Sequence, residues 1–418
     1  MTGEQEGVVD HISRDAAETL SPLLPGPPAP GGLPYRTGVP RPLGRGTPLL
    51  PPRPAGRTVG GHTARQLLAL CELVGLDAGE SAGYARALTD ALGPVVHRSL
   101  DLPPAVPTFL ADDHTPVEFS LSFSPGTAPS LRVLLEPASG FGTPAESSRL
   151  GLRALRALAR RWDISTEKLD LLQDLFLPDD PQGSFSLWAA LELTPGGTPR
   201  LKAYLNPAAT GPDRAGDTVR EALRRLGHHR AYESLPPADR LLFLALDLGD
   251  WATPRLKLYT AHHRLRASTV GTLNRMADGP SPAETEAFLY TAAGLPAGHD
   301  GVFDRRPVLA CHSFTDPEAD RPTGFTLHVP VRDYAHDDRE VLGRAEKLLP
   351  RYGIAPDVLR DALGALTPRR LEDGVGLIAY LAMVHQQGHD TRLTAYLSSE
   401  AYRVRPPNRR PTGPRPAH

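Results

Sequence analysis

The sequence predicts an α+β protein centred on a ten-stranded antiparallel β-barrel, with a polar, solvent-filled lumen and a surrounding ring of α-helices. Three observations predict it. One strand-like stretch puts cations and a phenol on one face and aliphatic side chains on the other. That stretch recurs along the chain. Each recurrence completes a hairpin that follows a helical segment, and five such units can be aligned.

The stretch is Arg200-Leu-Lys-Ala-Tyr204. Side chains alternate across a strand, so Arg200, Lys202 and Tyr204 share one face while Leu201, Ala203 and Leu205 share the other. Two cations and a phenol are poor core material and suit a polar cavity. The pattern returns as Arg255-Leu-Lys-Leu-Tyr259 and as Arg392-Leu-Thr-Ala-Tyr396. Lysine is scarce, and two of the four, Lys202 and Lys257, fall at the same place in this pattern. A solvated edge strand explains either lysine alone. It explains the pair less well, because their neighbours match.

Taken in order, residues 1–60 are rich in Pro and Gly, with twelve prolines between Pro22 and Pro54. Such a segment sustains neither a helix nor a central strand and is expected to be extended or disordered. Thr63 opens a helical pattern through Leu67, Leu70, Cys71 and Val74, and a second helix is expected from about 79 to 92. Pro116–Phe123 alternates, with Glu118, Ser120 and Ser122 on its polar face, and Leu131–Leu135 returns beside it. Helical residues at about 145–175 lead to Phe185–Leu193 and Leu201–Leu205, and those at about 214–227 to Leu241–Leu248 and Leu256–Thr260. Those at about 264–293 lead to Val308–Phe314 and Phe325–Val331, and those at about 337–366 to Val375–Val384 and Leu393–Leu397.

Aligning the second strands puts Arg132, Lys202, Lys257, Thr326 and Thr394 at one inward level, at intervals of 70, 55, 69 and 68 residues. The next level holds Leu134, Tyr204, Tyr259, His328 and Tyr396. A fivefold repeat of this period argues for a closed array, and ten strands leave room for a ligand. The expected organisation is a leader at 1–60, a single barrel domain at 61–404 and a disordered basic tail at 405–418.

Composition narrows the partners. A net charge of −2 and a pI near 6.7 give no electrostatic reason to expect nucleic acid or a membrane. No apolar run approaches the roughly 20 residues that span a bilayer, and the polar, acidic N-terminus does not read as a secretory signal. The two cysteines, Cys71 and Cys311, form no disulfide or metal framework, so a cytoplasmic setting is expected. The pairs Asp112-Asp113, Asp179-Asp180 and Asp337-Asp338 lack the third Asp of a DDxxD magnesium motif, so no metal or other cofactor is expected. No P-loop, GxSxG or dinucleotide fingerprint is present.

Arg132, Lys202, Arg255 and Lys257 around one lumen carry a formal charge of about +4, which is costly without an anion. A diphosphate matches: Arg supplies planar forks and Lys supplies point charges. The phenols Tyr204, Tyr259 and Tyr396, with His328, lie next to them, and electron-rich rings stabilise a cation by roughly 0.5–2 kcal/mol each. Together these groups describe ionisation of an allylic diphosphate. Glu118 would accept a hydrogen bond from an aromatic N–H or O–H and make that ring more nucleophilic. Plainer readings stand beside these: satisfied core phenols, a core histidine, and Glu118 as counter-ion to an arginine.

At these residues the sequence resembles the aromatic prenyltransferases of the dimethylallyltryptophan synthase type, in particular the actinobacterial members. The resemblance runs through Asp113-His-Thr-Pro-Val-Glu118, Leu201-Lys-Ala-Tyr-Leu-Asn-Pro207, Arg255-Leu-Lys-Leu-Tyr259, Thr326-Leu-His-Val-Pro-Val-Arg332 and Thr394-Ala-Tyr-Leu-Ser-Ser-Glu-Ala-Tyr402. It covers about residues 63–403 and implies the prenyltransferase barrel. It further implies metal-independent transfer of a dimethylallyl group from dimethylallyl diphosphate to the indole of L-tryptophan in bacterial secondary metabolism, with C6 the favoured carbon. Carried over by position, Glu118 binds and activates the indole N–H. Arg132, Lys202, Arg255 and Lys257 hold the diphosphate with Thr326 beside it, and Tyr204, Tyr259, His328 and Tyr396 shield the cation. Fungal relatives tend to carry Gln and Tyr where this chain has Thr326 and His328. The small-molecule substrates are the expected partners, for a monomer or homodimer. Two alternatives remain: another aromatic acceptor (tyrosine, a Trp-containing cyclic dipeptide, another indole or phenol), or a non-catalytic barrel for an anionic amphiphile, in which Glu118 has no purpose.

Overall fold

Aliphatic side chains on the outward face of every strand need a cover, and helices supply it. The computed structural model describes residues 57–139, 142–196, 198–296 and 298–409. Its strands are β1 (Val117–Phe123), β2 (Ser130–Leu135), β3 (Leu187–Leu193), β4 (Arg200–Leu205), β5 (Arg240–Asp247), β6 (Leu256–His262), β7 (Val308–Phe314), β8 (Gly324–Val329), β9 (Ile378–Gln386) and β10 (Arg392–Ser398). Each pairs antiparallel with its neighbours in the chain, and β1 closes on β10 with Glu118 opposite Ser398 and Phe123 opposite Leu393. Across that seam the Thr394 hydroxyl donates to the Ser122 hydroxyl at 3.2 Å. The expected ten-stranded barrel inside a helical jacket is therefore the observed fold.

Seven helices of ten or more residues are found among the described residues: α1 (Val59–Leu73), α2 (Ala78–Leu92), α3 (Pro144–Arg161), α4 (Ala215–Arg225), α5 (Pro282–Ala293), α6 (Asp338–Leu348) and α7 (Asp357–Leu366). Local chemistry sets their starts. At α3 the Thr143 hydroxyl accepts from the Glu146 N–H, the Glu146 carboxylate accepts from the Thr143 N–H at 2.7 Å, and Pro144 occupies the first turn. The buried face of α3 is then Leu152, Leu155 and Leu158. Outward-facing Leu121, Val133, Leu191, Leu201, Leu258 and Leu327 belong to the same apolar layer as the helix faces.

Several expected boundaries are corrected. Helix α1 starts at Val59 rather than Thr63, because the Thr58 hydroxyl caps it by accepting from the Gly61 N–H. The segment at 264–293 is not one helix: a 3₁₀ stretch at Ala267–Leu273 ends before Pro280, and α5 begins at Pro282. A two-residue ribbon, Leu265–Arg266 against Val302–Phe303, was not expected. The segment at 337–366 splits around Pro350, Gly353 and Pro356. The segment at 145–175 is α3 followed by one-turn helices at Glu167–Asp170 and Gln173–Phe176.

Residues 1–56 and 410–418, which hold most of the proline-rich leader and the basic tail, lie outside the described residues. The chain at 405–409 is docked rather than part of a disordered tail. Arg405 pairs with Asp333 at 3.0 Å, and the Asn408 side-chain amide donates to the Arg332 and Ala335 carbonyls at 2.9 and 2.8 Å.

Asp338, fully buried at the start of α6, ties the jacket to the barrel. Its carboxylate accepts from the Gly376 and Ile378 N–H groups at 2.9 and 3.3 Å and pairs with Arg369, which also grips Glu400 just beyond β10. Removing one partner leaves the other charge buried and uncompensated. Asp338→Ala is expected to lower the unfolding free energy by about 3–5 kcal/mol, read by urea denaturation; a loss below about 0.5 kcal/mol, the usual range for a surface change, contradicts this clamp.

Candidate active site

Inward positions on one strand are two residues, or about 7 Å, apart. The second strands of the hairpins therefore stack their side chains in levels. Nearest the hairpin turns stand Arg200, Arg255 and Arg392. Arg132, Lys202, Lys257 and Thr326 follow, then Tyr204, Tyr259, His328 and Tyr396. Glu118 on β1 pairs with Leu134 on β2, at the level of the rings. All ten residues singled out from the sequence line one cavity enclosing about 770 Å³ of space between atoms. Thr394, placed at the cation level, is instead spent on the β1–β10 seam.

Two carboxylates that sequence reasoning missed stand among the cations. Glu192 on β3 lies 3.3 Å from Arg132 and 3.6 Å from Lys202, while Asp247 on β5 lies 3.6 Å from Lys202 and 2.8 Å from Arg255. Burial would raise the Glu192 carboxyl, but Arg132, Lys202, Arg200 and Arg255 outweigh it and hold it down at about 2. Burial pulls the Lys202 ammonium down to about 7, against the attraction of Asp247 and with repulsion from Arg255, Lys257 and Arg132. Counting Arg200 and Arg392, six cations face two carboxylates, so the formal excess is again four. Lys257 has no ion pair among the described residues, and burial lowers its pKa. The Arg392 Nε is buried without a hydrogen-bond partner, whereas the Arg132 Nε has the Glu192 carboxylate 3.3 Å away. A buried N–H such as that of Arg392 wants an acceptor.

The next level is a row of rings in contact. Centroids are 5.8 Å apart for Tyr204–Tyr259, 5.7 Å for Tyr259–His328 and 5.4 Å for His328–Tyr396. The Tyr204 and Tyr259 hydroxyls are 3.4 Å apart, and His328 Nε2 is 3.1 Å from the Tyr396 hydroxyl. Burial, with Lys257 adding to it, lowers His328 to about 3, so its ring is neutral near pH 7. Burial raises Tyr204 to about 12 and lifts Tyr259 and Tyr396 as well, so these phenols keep their protons.

Glu118 makes no ion pair among the described residues, which removes the counter-ion reading. Burial pushes its carboxyl up to about 8, opposed by Arg332 and aided by Asp112. Behind it the lumen turns apolar: Trp188 stacks on Phe185 at 4.3 Å and meets Phe243 at 5.1 Å. Farther along, Asp112 and Asp333 bind Arg306, Arg332 and Arg405, and Arg332 lies 5.0 Å from the Tyr380 ring. Glu192 and Trp188 were legible in principle, since alternation along β3 puts both on one face and the hairpin register sets Glu192 opposite Arg200. Among the described residues no group of three or more His, Cys, Asp or Glu could hold a metal ion.

Comparison with known proteins agrees with this fold. Residues 83–360 match the family model for tryptophan dimethylallyltransferase. PriB, solved as a ternary complex with L-tryptophan and dimethylallyl thiolodiphosphate, is 53% identical with a TM-score of 0.81, over 84% of this chain and 99% of PriB. A 5-dimethylallyl tryptophan synthase from Streptomyces coelicolor, solved with Trp and DMASPP, is 54% identical with a TM-score of 0.80, over 85% of this chain and 99% of its own. A 6-dimethylallyltryptophan synthase from Micromonospora olivasterospora is 40% identical with a TM-score of 0.77, over 84% of this chain and 100% of its own. On the family match and these identities over nearly the full length of the relatives, the chain belongs to the tryptophan dimethylallyltransferase family.

Proposed function

We propose that this protein transfers the dimethylallyl group of dimethylallyl diphosphate to the indole ring of L-tryptophan, without a metal, at C6. The observation that carries the reading is the stacking of an unneutralised cation level directly on a continuous row of neutral electron-rich rings. Arg132, Lys202, Arg255 and Lys257 hold the diphosphate, Thr326 lies beside it, and Arg392 adds an unpartnered guanidinium N–H. The allylic C–O bond breaks with its electron pair going to the diphosphate, whose new charge the excess cations stabilise. Tyr204, Tyr259, His328 and Tyr396 shelter the allyl cation, at roughly 0.5–2 kcal/mol each. Neutral rings are needed here: a protonated His328 would repel the cation. Glu118 accepts the indole N–H and pushes electron density into the ring. The indole carbon attacks the allyl cation, the ring carbon's proton passes to the diphosphate, and the protonated diphosphate is released. An anion-carrying barrel accounts for the cations but not for an ionisable carboxyl at the level of the rings.

Incubation with dimethylallyl diphosphate and L-tryptophan in EDTA is expected to add one prenyl unit by mass, at C6 by NMR. No product across a panel of aromatic acceptors overturns the reaction; a C5 product overturns only the position. Glu118→Gln is expected to lower kcat by about 10²–10³-fold while leaving diphosphate affinity unchanged. With dimethylallyl diphosphate saturating, so that Lys202 stays charged, the wild-type kcat/KM for tryptophan should rise with pH up to about 8, where burial places the Glu118 carboxyl. The ionised, activating form accumulates in that direction. A flat wild-type profile, or a limb near pH 8 that is unchanged in Glu118→Gln, removes Glu118 from this role. Lys257→Ala is expected to weaken diphosphate binding by about 10–100-fold, as for loss of a charged hydrogen bond; an unchanged affinity by calorimetry contradicts the assignment.

A further inference from the structure

The proposed reaction leaves one lumen carboxylate unused. Glu136 follows Leu135 on β2, and its backbone N–H still bonds the Pro116 carbonyl at 3.1 Å. Alternation therefore carries its side chain inward after Arg132 and Leu134. The Leu135–Ala189 pair sets it across from Trp188. The Glu118–Leu134 pair makes it a diagonal neighbour of Glu118.

Unlike Glu192 and Asp247, Glu136 has no ion pair among the described residues. Its Oε2 is sealed from solvent without a hydrogen bond of ordinary geometry, and so is the facing Trp188 Nε1. Burial pushes its carboxyl up to about 7, while Thr108 and Trp188 pull down less strongly. Cations thus crowd the turn end of the lumen and none answers this carboxyl. A buried acid in this state ionises when a cation arrives with hydrogen bonds of its own. The surroundings define that cation. The Trp188–Phe185 stack offers π-faces, Leu110 and Phe243 belong to the same apolar cluster, and the Thr108 hydroxyl lies beside the carboxyl. A primary ammonium on an apolar body fits, with one N–H for the carboxylate and its charge near the rings.

Resting on the reading of tryptophan as acceptor, we propose that Glu136 receives the α-ammonium of the acceptor amino acid and sets the requirement for a free amine. Diagonal neighbours on an antiparallel pair stand about 7–8 Å apart. Glu118 and Glu136 are therefore spaced to take the two nitrogens of one tryptophan, the indole N–H and the ammonium. The indole is then fixed at both ends relative to the allyl cation, so Glu136 governs acceptor choice without entering the bond changes.

The test compares L-tryptophan, tryptamine and indole-3-propionate, which lacks the amine, at saturating dimethylallyl diphosphate in wild type and Glu136→Gln. In the variant, KM for tryptophan and tryptamine is expected to rise about 10–100-fold, as for loss of a charged hydrogen bond. Indole-3-propionate should change less than about twofold, because Glu136 has no charge to offer an acceptor without an amine. Equal losses for all three acceptors, or an unchanged KM for tryptophan, overturn the assignment. Wild type alone supplies a second arm if the variant does not fold. It should favour tryptamine over indole-3-propionate at least about tenfold in kcat/KM, and equal use overturns the assignment. Failure of the proposed reaction itself reads differently, as no prenylated product from wild type with any acceptor.

Discussion

A surplus of positive charge inside a closed barrel is the constraint on which the rest of this structure depends. Six cations converge near the hairpin turns and only Glu192 and Asp247 answer them. Concentrating like charges in a poorly solvated space is unfavourable, and the price is visible in Lys202, whose ammonium burial and repulsion bring down to about 7. The protein sustains the arrangement because its apolar energy is earned elsewhere. The outward strand faces and the helices around them carry a continuous apolar layer, so the lumen is free to be polar. The barrel is in this sense inverted relative to small barrels whose interior is the core.

Strand geometry turns that surplus into an ordered reaction space. Alternate residues are about 7 Å apart along a strand, so cations and rings occupy successive levels rather than mixing. On the reading proposed above, a diphosphate at the first level has its allylic carbon at the second. The ladder fixes the distance through backbone hydrogen bonds, and no single side chain has to reach far. Glu118 shares the second level on the strand next to Tyr396, and on that reading it brings the acceptor ring against the cation rather than against the diphosphate. The two lumen carboxyls without ion pairs, Glu118 and Glu136, both lie away from the cation level, where the space turns aromatic and apolar.

Much of this was legible in the sequence because the second strand of each hairpin keeps strict alternation. Arg200, Lys202 and Tyr204 could be aligned with Arg255, Lys257 and Tyr259 without any structure, and the barrel followed from the repeat. The first strands were harder to read. Register shifts between Leu241 and Phe243 and between Ile378 and Tyr380 break the alternation there, so Asp247 and Tyr380 could not be set on a face. Glu192 sits on a regular strand, but its role depends on facing Arg132 across the β2–β3 pair, which joins one hairpin to the next. Glu136 lies just beyond the last residue of β2 and reads as loop. Helix lengths were overstated where Pro280, Pro350 and Pro356 interrupt apolar patterns that otherwise continue.

The central claim is that basic side chains alone supply the charge that binds and pulls away the diphosphate. Calorimetric titration of inorganic diphosphate into the protein in EDTA tests it most directly. The account predicts saturable one-to-one binding that weakens with added salt and does not tighten when magnesium replaces EDTA. Binding that requires magnesium would contradict it.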